Sequence, residues 1–223
     1  MEILYNDKDM SVVVKEPSLL SQADPTGNNI IAKLNEYYAE SGEGCEAFPI
    51  HRLDKGVGGV MVFAKHQKAA AKLSTAVAER ALDKEYLAVV LGVPAESEGV
   101  YKDLLFKDSS KNRSFVVNRK RAGVREASLE YRVIDSAEYN GEAVSLVLIK
   151  LHTGRTHQIR VQFSSRKTPL YADRKYGGRG VGDIGLWSYR LTLNHPSTDK
   201  RAVYPKLPSG DLWEVFDLGK LAQ

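Results

Sequence analysis

The sequence predicts an α+β protein with a mixed, mostly antiparallel central sheet and flanking helices. Strand-like apolar segments outnumber amphipathic helical ones, and few successive strands are separated by a segment that could form a crossover helix. A doubly wound parallel sheet would need such a helix after nearly every strand. The chain has 223 residues, 43% hydrophobic and 27% charged, which is enough to bury a core without disulfides. We expect residues 1–223 to form one domain, with no separate N-terminal domain.

The elements follow from local patterns. Apolar side chains at helical spacing predict helices over 29–40 and 68–82, and Thr156 is placed to cap a third helix through Ile159 and Phe163. Alternating or continuous apolar residues predict strands. The predicted strand segments are a pair within 3–14, then 57–64, 86–91, 128–134, 143–151, 186–193 and 212–217.

The composition excludes several classes of protein. No apolar run is long enough to span a bilayer, and the N-terminus shows no basic start followed by an apolar stretch. The single cysteine, Cys45, excludes an intrachain disulfide and favours a reducing, cytoplasmic compartment. We expect a monomer that does not associate with membranes.

The charge is unevenly distributed. The formal net charge is +4, but residues 1–49 carry three Lys and nine acidic residues. Residues 102–125 carry eight Lys and Arg against two Asp, and residues 150–179 carry eight against one. Such clustering is typical of a face that binds a polyanion, although two solvated basic faces would give the same pattern.

Familiar cofactor and metal motifs are absent or lack their context. Gly180, Gly182 and Gly185 spell G-x-G-x-x-G, but a strand-like segment follows where a dinucleotide site needs a helix. The histidines have no metalloprotease spacing, and one cysteine makes a structural zinc site a poor fit. We therefore expect neither a cofactor nor a metal.

Three stretches could carry chemistry. In His51-Arg52-Leu53-Asp54, the acid lies where a loop enters a buried strand, so it could act as a nucleophile or simply form a turn before Lys-Gly. Tyr86 begins a strand, where it could stack on a base or fill the core.

The third stretch is TGRTHQIRV at 153–161. It places Arg160 in the first turn of a helix, where the helix dipole disfavours a cation. If this arginine is buried, it needs a carboxylate partner; otherwise it belongs to a basic surface.

Together the stretches resemble the RluA-type family of RNA pseudouridine synthases. That family shows H-R-L-D before an apolar strand, then K-x-Y-x-A, then T-G-R-x-H-Q-[IL]-R-V. Here these are HRLD at 51–54, KEYLA at 84–88 and TGRTHQIRV at 153–161. The opening ILYNDKDMSVVVKEPSLLSQ and the late LTLNHPSTDKRAVYPKLP are also similar to the family, so the likeness spans almost the whole chain.

The resemblance implies the pseudouridine synthase fold, with an active-site cleft across the sheet. It implies an isomerase that converts uridine in RNA to pseudouridine on a flipped-out nucleotide. By position, Asp54 would be the nucleophile, Tyr86 would lie against the base and Arg160 would pair with the aspartate. Arg52 would fill the space that the flipped nucleotide leaves. We assign the neighbouring motif residues to substrate binding: His51, Leu53, Arg155, Thr156, His157 and Gln158.

The chain departs from the family pattern near these motifs. Val57 and Gly58 stand where the family usually has Thr-Ser, and Gln162 stands where His is frequent. KTPLYAD at 167–173 replaces the usual G-H-P-[IL]-x-G-D.

The leading hypothesis is therefore an RNA pseudouridine synthase acting on ribosomal or transfer RNA. The altered residues after Asp54 leave open a non-catalytic RNA-binding or chaperone protein on the same scaffold. Another base-flipping enzyme, such as a glycosylase, is a third hypothesis.

Overall fold

The computed structural model describes residues 1–25 and 27–222. Within them the chain forms eleven strands and four α-helices, and no helix in this part is long and apolar enough to cross a membrane. In chain order the elements are β1 (Glu2–Asn6), β2 (Met10–Lys15), α1 (Ile30–Glu40), β3 (Phe48–Pro49), β4 (Gly58–Ala64), α2 (Gln67–Ala78), β5 (Asp83–Leu91), β6 (Glu98–Asp108), β7 (Arg113–Val117), β8 (Val124–Tyr139), β9 (Glu142–Leu151), α3 (Gln158–Ser164), β10 (Leu186–Asn194), β11 (Arg201–Pro205) and α4 (Asp211–Glu214).

The chain divides into two compact units. The first comprises Met1–Lys84 and Ser188–Leu207, and the second comprises Glu85–Trp187 and Pro208–Gln223. Each is described separately below.

In the first unit the strands lie in the order β1-β2-β4-β10, with β3 on β4 and β11 on β10. The β1–β2, β2–β4, β3–β4 and β10–β11 ladders are antiparallel. Every residue of β2 and β4 is buried, as the continuous apolar runs predict. Helix α2 buries Ala69 and Leu73 against this sheet, which closes the core of the unit.

Gly59 in β4 allows an unusually close approach of two strands. A Cβ at this position would lie 2.3 Å from the carbonyl oxygen of Ser188 in β10, and the residue has φ +117°. Only glycine fits both the space and the backbone conformation. In the family pattern a glycine follows the usual Thr-Ser. Here Val57 and Gly58 replace Thr-Ser, but the glycine is retained as Gly59.

In the second unit the order is β5-β9-β8-β6-β7, and the β6–β7, β6–β8 and β8–β9 ladders are antiparallel. Helix α3 is buried over its first six residues. It anchors to the sheet through Phe163, whose ring meets Tyr101 at 5.2 Å and Tyr131 at 5.7 Å between centroids. Val161 of the same helix packs with Leu105 and Ala127.

Most predicted elements are confirmed, and the helix ends differ for local reasons. Helix α1 begins after Asn29, whose side chain accepts a hydrogen bond from the Ala32 amide. Helix α2 ends at Ala78, four residues early, because Arg80 adopts a left-handed φ of +61°. The cap of α3 is His157 with φ +53°, so the prediction of Thr156 as the cap is wrong by one residue.

One predicted strand is wrong, and four strands had no prediction. Residues 212–217 overlap α4, because Trp213 and Phe216, three positions apart, are both buried. Strands β3, β7 and β11 are only two to five residues long, too short for a pattern to be evident, and in β6 the consecutive Leu104, Leu105 and Phe106 interrupt the alternation.

Candidate active site

The loop that carries Asp54 is fixed through its backbone. The Ser21 hydroxyl donates to the Leu53 carbonyl at 2.7 Å and accepts from the Leu53 amide at 3.1 Å. The Asp54 carbonyl accepts from the Val57 amide at 3.0 Å, which closes a tight turn into β4. Leu53 is buried and Asp54 is half-buried, so a carboxylate partly open to solvent stands on a rigid backbone.

A buried lysine supports the same loop. Lys15 is fully buried at the end of β2, and its ammonium donates to the carbonyls of Leu19 at 2.8 Å, Glu16 at 3.0 Å and Lys55 at 3.4 Å. The Ser18 amide also donates to the Lys55 carbonyl. The VVVKEPSLLS segment therefore holds the residue that follows Asp54.

His51 is neutral. Its Nε2 accepts from the Val62 amide at 3.3 Å, which places the proton on Nδ1, and Nδ1 is buried without a hydrogen-bond partner among the described residues. Burial, reinforced by the nearby Lys84 ammonium, lowers the pKa of His51 to about 3. Arg52, the next residue, is exposed.

In the second unit, the TGRTHQIRV segment at 153–161 begins with a turn that the buried Gln158 side chain holds through hydrogen bonds. The Gln158 side-chain oxygen accepts from the Thr153 hydroxyl at 2.7 Å and from the Arg155 amide at 3.0 Å, and its amide donates to the Ser128 carbonyl. Gln158 is buried, so the structure gives it an internal bracing role. Its assignment to substrate binding stays a prediction.

The residues around that turn form hydrogen bonds with different parts of the second unit. Arg155 is exposed and its Nε donates to the Glu126 carbonyl at 2.9 Å. The Thr156 carbonyl accepts from the Ser114 hydroxyl at 2.6 Å. His157 Nδ1 lies 2.9 Å from the hydroxyl of Tyr176.

Arg160 is buried, and the Asp173 carboxylate holds it through two hydrogen bonds. Its Nε donates to Asp173 Oδ2 and its Nη2 to Asp173 Oδ1, both at 2.7 Å. The expectation that a buried arginine here has a carboxylate partner is confirmed. Its pairing with Asp54 stays a prediction.

Tyr176 lies between two guanidinium groups. The guanidinium carbons of Arg113 and Arg160 are 5.0 Å and 5.2 Å from its ring centroid. Its hydroxyl accepts from the Ser114 amide at 2.7 Å. Burial raises the pKa of Tyr176, against the opposing effect of the Ser114 amide and the two arginines.

The glycine-rich loop holds the chain around Asp173. A Cβ on Gly178 would lie 2.0 Å from the Leu170 carbonyl oxygen and 2.7 Å from the Asp173 nitrogen. Ala172 donates its amide to the Arg179 carbonyl, and Gly178 donates to the Asp173 carbonyl. No helix follows this loop, since β10 begins at Leu186, which agrees with the rejection of a dinucleotide motif.

Tyr86 is the first buried side chain of β5, after three half-buried positions. The structure thus places Asp54 in the first unit and Tyr86 and Arg160 in the second, each on a well-supported segment. Sequence reasoning missed Lys15, Ser21, Asp173 and Tyr176 as supporting residues. Two features of the sequence could have indicated these residues. One is the likeness of the chain's opening segment to the family, and the other is the aspartate that ends KTPLYAD.

One cluster could be mistaken for a metal centre. Asp7, Asp9 and His195 place ligand atoms within 4.8 Å of one another. His195 Nδ1 accepts from the amides of Ser197 and Thr198, so its proton lies on Nε2 and is donated to Asp7 at 2.8 Å. A cation would have to displace that proton, and we assign the cluster a bracing role.

Comparison with known proteins identifies the family of this chain. A family model described as RNA pseudouridylate synthase matches residues 9–165. The chain is 31% identical over 207 residues to the uncharacterized RNA pseudouridine synthase YhcT of Bacillus subtilis, covering 91% of this chain and 67% of that protein. It is 33% identical to ribosomal large subunit pseudouridine synthase D of Yersinia pestis, covering 80% of this chain and about half, 53%, of that protein.

Solved structures agree on the fold. Human RNA pseudouridylate synthase domain containing 1 superposes with a TM-score of 0.78 at 23% identity, covering 93% of this chain and 83% of that one. Human RNA pseudouridylate synthase domain containing 4 gives 0.74 at 23% identity, covering 93% and 88%. The sequence matches go further than the fold, because they include the residues around Asp54 and Arg160, and they show that this chain belongs to the RNA pseudouridylate synthase family.

Proposed function

We propose that this pseudouridine synthase acts on uridines of ribosomal or transfer RNA, with Asp54 as its nucleophile. The observation that carries the proposal is the H-R-L-D loop. It presents a half-buried carboxylate on a backbone fixed by Ser21 on one side and by the turn to Val57 on the other. A nucleophile needs both access and fixed geometry, and this loop provides both.

The reaction is an isomerisation whose atoms balance within the nucleotide. The bond between N1 of uracil and C1′ of ribose breaks, the base rotates, and a bond forms between C5 and C1′. C5 loses its proton, and N1 ends as an N–H group. No oxidant, reductant or second substrate is consumed. As the nucleophile, Asp54 would bond transiently to the nucleotide and be released as a carboxylate when the product forms, and the other residues would bind, orient and move protons.

The other motif residues are given roles that their surroundings support. Tyr86, buried at the start of β5, would lie against the flipped base. Arg160 would pair with Asp54, and Asp173 would fix the plane of its guanidinium. Exposed Arg52 would enter the space that the extruded nucleotide leaves. The basic segments 102–125 and 150–179 would offset the cost of unstacking through phosphate contacts.

Tritium release from RNA labelled at C5 of uracil tests this function, because C5 loses its hydrogen only if the new bond forms. Wild-type protein releases label from ribosomal or transfer RNA, and Asp54→Asn releases none. Glu36→Gln, which removes one exposed carboxylate from α1 in the same unit, keeps wild-type release. Equal release by wild type and Asp54→Asn would exclude Asp54 as the nucleophile.

Product mass separates the remaining alternatives. An isomerase leaves the RNA mass unchanged, whereas a glycosylase removes a base. RNA binding with no release of label from any cellular RNA would favour a non-catalytic binder. Carbodiimide mapping of total RNA with and without the gene then locates the modified uridine.

We also propose a cytoplasmic monomer. The support is the absence of a membrane-spanning helix in the described part of the chain and the single half-buried Cys45. Light scattering after size exclusion at micromolar concentration should give the 24.7 kDa mass of one chain. A mass of about twice that value would contradict it.

A further inference from the structure

In the second unit, the outward face of β6, β7 and β8 carries several apolar side chains. Among the described core contacts, no other element of the protein packs on this face. Phe106 stands opposite both Phe115 and Val124, and Leu104 stands opposite Val117. Directly opposed residues of antiparallel strands lie on one face of the sheet. We call this set the aromatic platform; its members are Leu104, Phe106, Phe115, Val117 and Val124.

The opposite face of the same strands is the one that forms the core. Leu105, Ala127 and Val161 are buried together there, with Val116 against them. All members of the aromatic platform, in contrast, are partly or fully exposed, and Phe115 is 36% exposed on the edge strand. Exposed apolar patches of this kind mark sites of interaction.

Cations surround the platform. The guanidinium carbon of Arg121 lies 4.7 Å from the centroid of the Phe106 ring, and that of Arg113 lies 5.5 Å from the Phe115 ring. A depression of about 530 Å³ beside them is large enough for a small ligand. Its lining residues are Leu104, Lys120, Arg121, Val124, Arg125, Glu126 and Arg155.

The positive charge of this depression is poorly compensated. Glu126 is the one carboxylate in the lining, and it pairs with Lys120 at 2.6 Å. Within residues 1–25 and 27–222, no carboxylate is within ion-pair distance of Arg121 or Arg125. Unpaired arginines next to exposed aromatic rings fit a ligand that has both negative charges and flat apolar groups.

We propose that the aromatic platform binds a single-stranded stretch of the substrate RNA, with bases stacked on Phe115 and Phe106 and a phosphate on Arg121. Single strands are held in this way, by aromatic rings beside a cationic track. An acidic peptide would use the arginines but offers no flat group to the two partly exposed rings. The choice of RNA as the ligand rests on the proposed function, whereas the need for flat groups and negative charges comes from the surface itself.

Binding of a fluorescently labelled 12-nucleotide oligouridylate to the full chain, followed by anisotropy, tests the stacking. Phe115→Leu keeps an apolar side chain at an exposed edge position but removes the ring. It should raise Kd about 5- to 100-fold, the effect of losing one stacked base. Phe115→Tyr keeps the ring and should bind within about twofold of wild type. Val203→Ala, which truncates an exposed apolar residue on β11, should leave Kd unchanged.

Salt dependence tests the phosphate contact. Arg121→Gln should reduce the slope of log Kd against log salt concentration by about 0.7, the contribution of one single-strand phosphate contact. Lys68→Gln, which removes one exposed charge from α2, should keep the wild-type slope.

The two measurements separate this inference from the proposed function. If Phe115→Leu binds the oligonucleotide as wild type does, the platform does not bind RNA, even if wild-type protein releases tritium normally. If binding depends on Phe115 but wild-type protein releases no tritium, the proposed function is contradicted while RNA binding by the aromatic platform is still supported. A thermal melt of each variant confirms that it is folded.

Discussion

Replacing Asp173 by Asn should destabilise the protein strongly. The Arg160–Asp173 pair has two 2.7 Å hydrogen bonds, and its side chains are only 7% and 1% exposed. Asparagine offers one acceptor where the guanidinium presents two donors, and it turns an amide N–H₂ toward a cation. The substitution removes the negative charge that two guanidinium hydrogen bonds meet, and breaking a buried pair in this way costs about 3–5 kcal/mol in the free energy of unfolding.

The Arg166–Asp103 pair in the same unit is a matched control. It also has two hydrogen bonds, at 3.0 Å and 3.1 Å, but its side chains are 33% and 11% exposed. Because water stabilises the charge left behind, Asp103→Asn should cost roughly 1 kcal/mol. Asp103 also accepts from the Gln162 amide at 2.6 Å, a bond to the oxygen that asparagine can keep. With two arginine–carboxylate bonds in each pair, burial therefore predicts a difference of about 2 kcal/mol or more between the two variants.

Urea unfolding followed by circular dichroism measures both variants, and an unchanged m-value keeps the comparison valid. A wild-type stability of about 5–15 kcal/mol leaves room to measure a loss of this size. Equal costs for the two variants, or a loss below about 1 kcal/mol for Asp173→Asn, would refute the reasoning from burial.

Two further predictions concern the first unit. The pKa of His51 is lowered to about 3 from 6.5, so the unfolded chain binds a proton there that the folded chain does not, and stability falls as the pH drops below 6.5. Urea unfolding should show about 2 kcal/mol of this loss between pH 8 and pH 5 in wild type and not in His51→Gln; equal pH dependence of the two proteins would contradict the assignment. Gly59→Ala forces a Cβ to within 2.3 Å of the Ser188 carbonyl oxygen and should cost about 3 kcal/mol or more, whereas Gly44→Ala, with nothing within 4 Å, should melt close to wild type.

Local signals explain which parts of the fold were predictable. The continuous apolar run of β4 predicts a buried strand, and the helical spacing of apolar residues after Asn29 predicts α1. Both patterns are contained within a few consecutive residues, so the sequence displays them directly. The left-handed φ of Arg80 that ends α2 has no such signal, because arginine rarely adopts that conformation and nothing in its neighbours requires it.

The site divides in the same way. That a buried Arg160 must have a carboxylate partner follows from electrostatics alone, and the structure confirms it. The identity of the partner depends on how the glycine-rich loop turns back, with Gly178 against the Leu170 carbonyl and the Asp173 amide. That close approach brings together residues whose spacing in the sequence carries no pattern.

The aromatic platform shows that a missed element and a binding surface can have the same cause. In β6, Leu104, Leu105 and Phe106 are consecutive apolar residues, so the alternation that marks a half-buried strand is lost there. Such a run usually means a strand covered on both faces, yet only the Leu105 face joins the core. The outward side chains of Leu104 and Phe106 are therefore apolar without contributing to the folded core. Cross-strand pairs such as Phe106 with Phe115 contribute to the stability of the sheet, and a bound strand of bases would use the exposed part of the same rings.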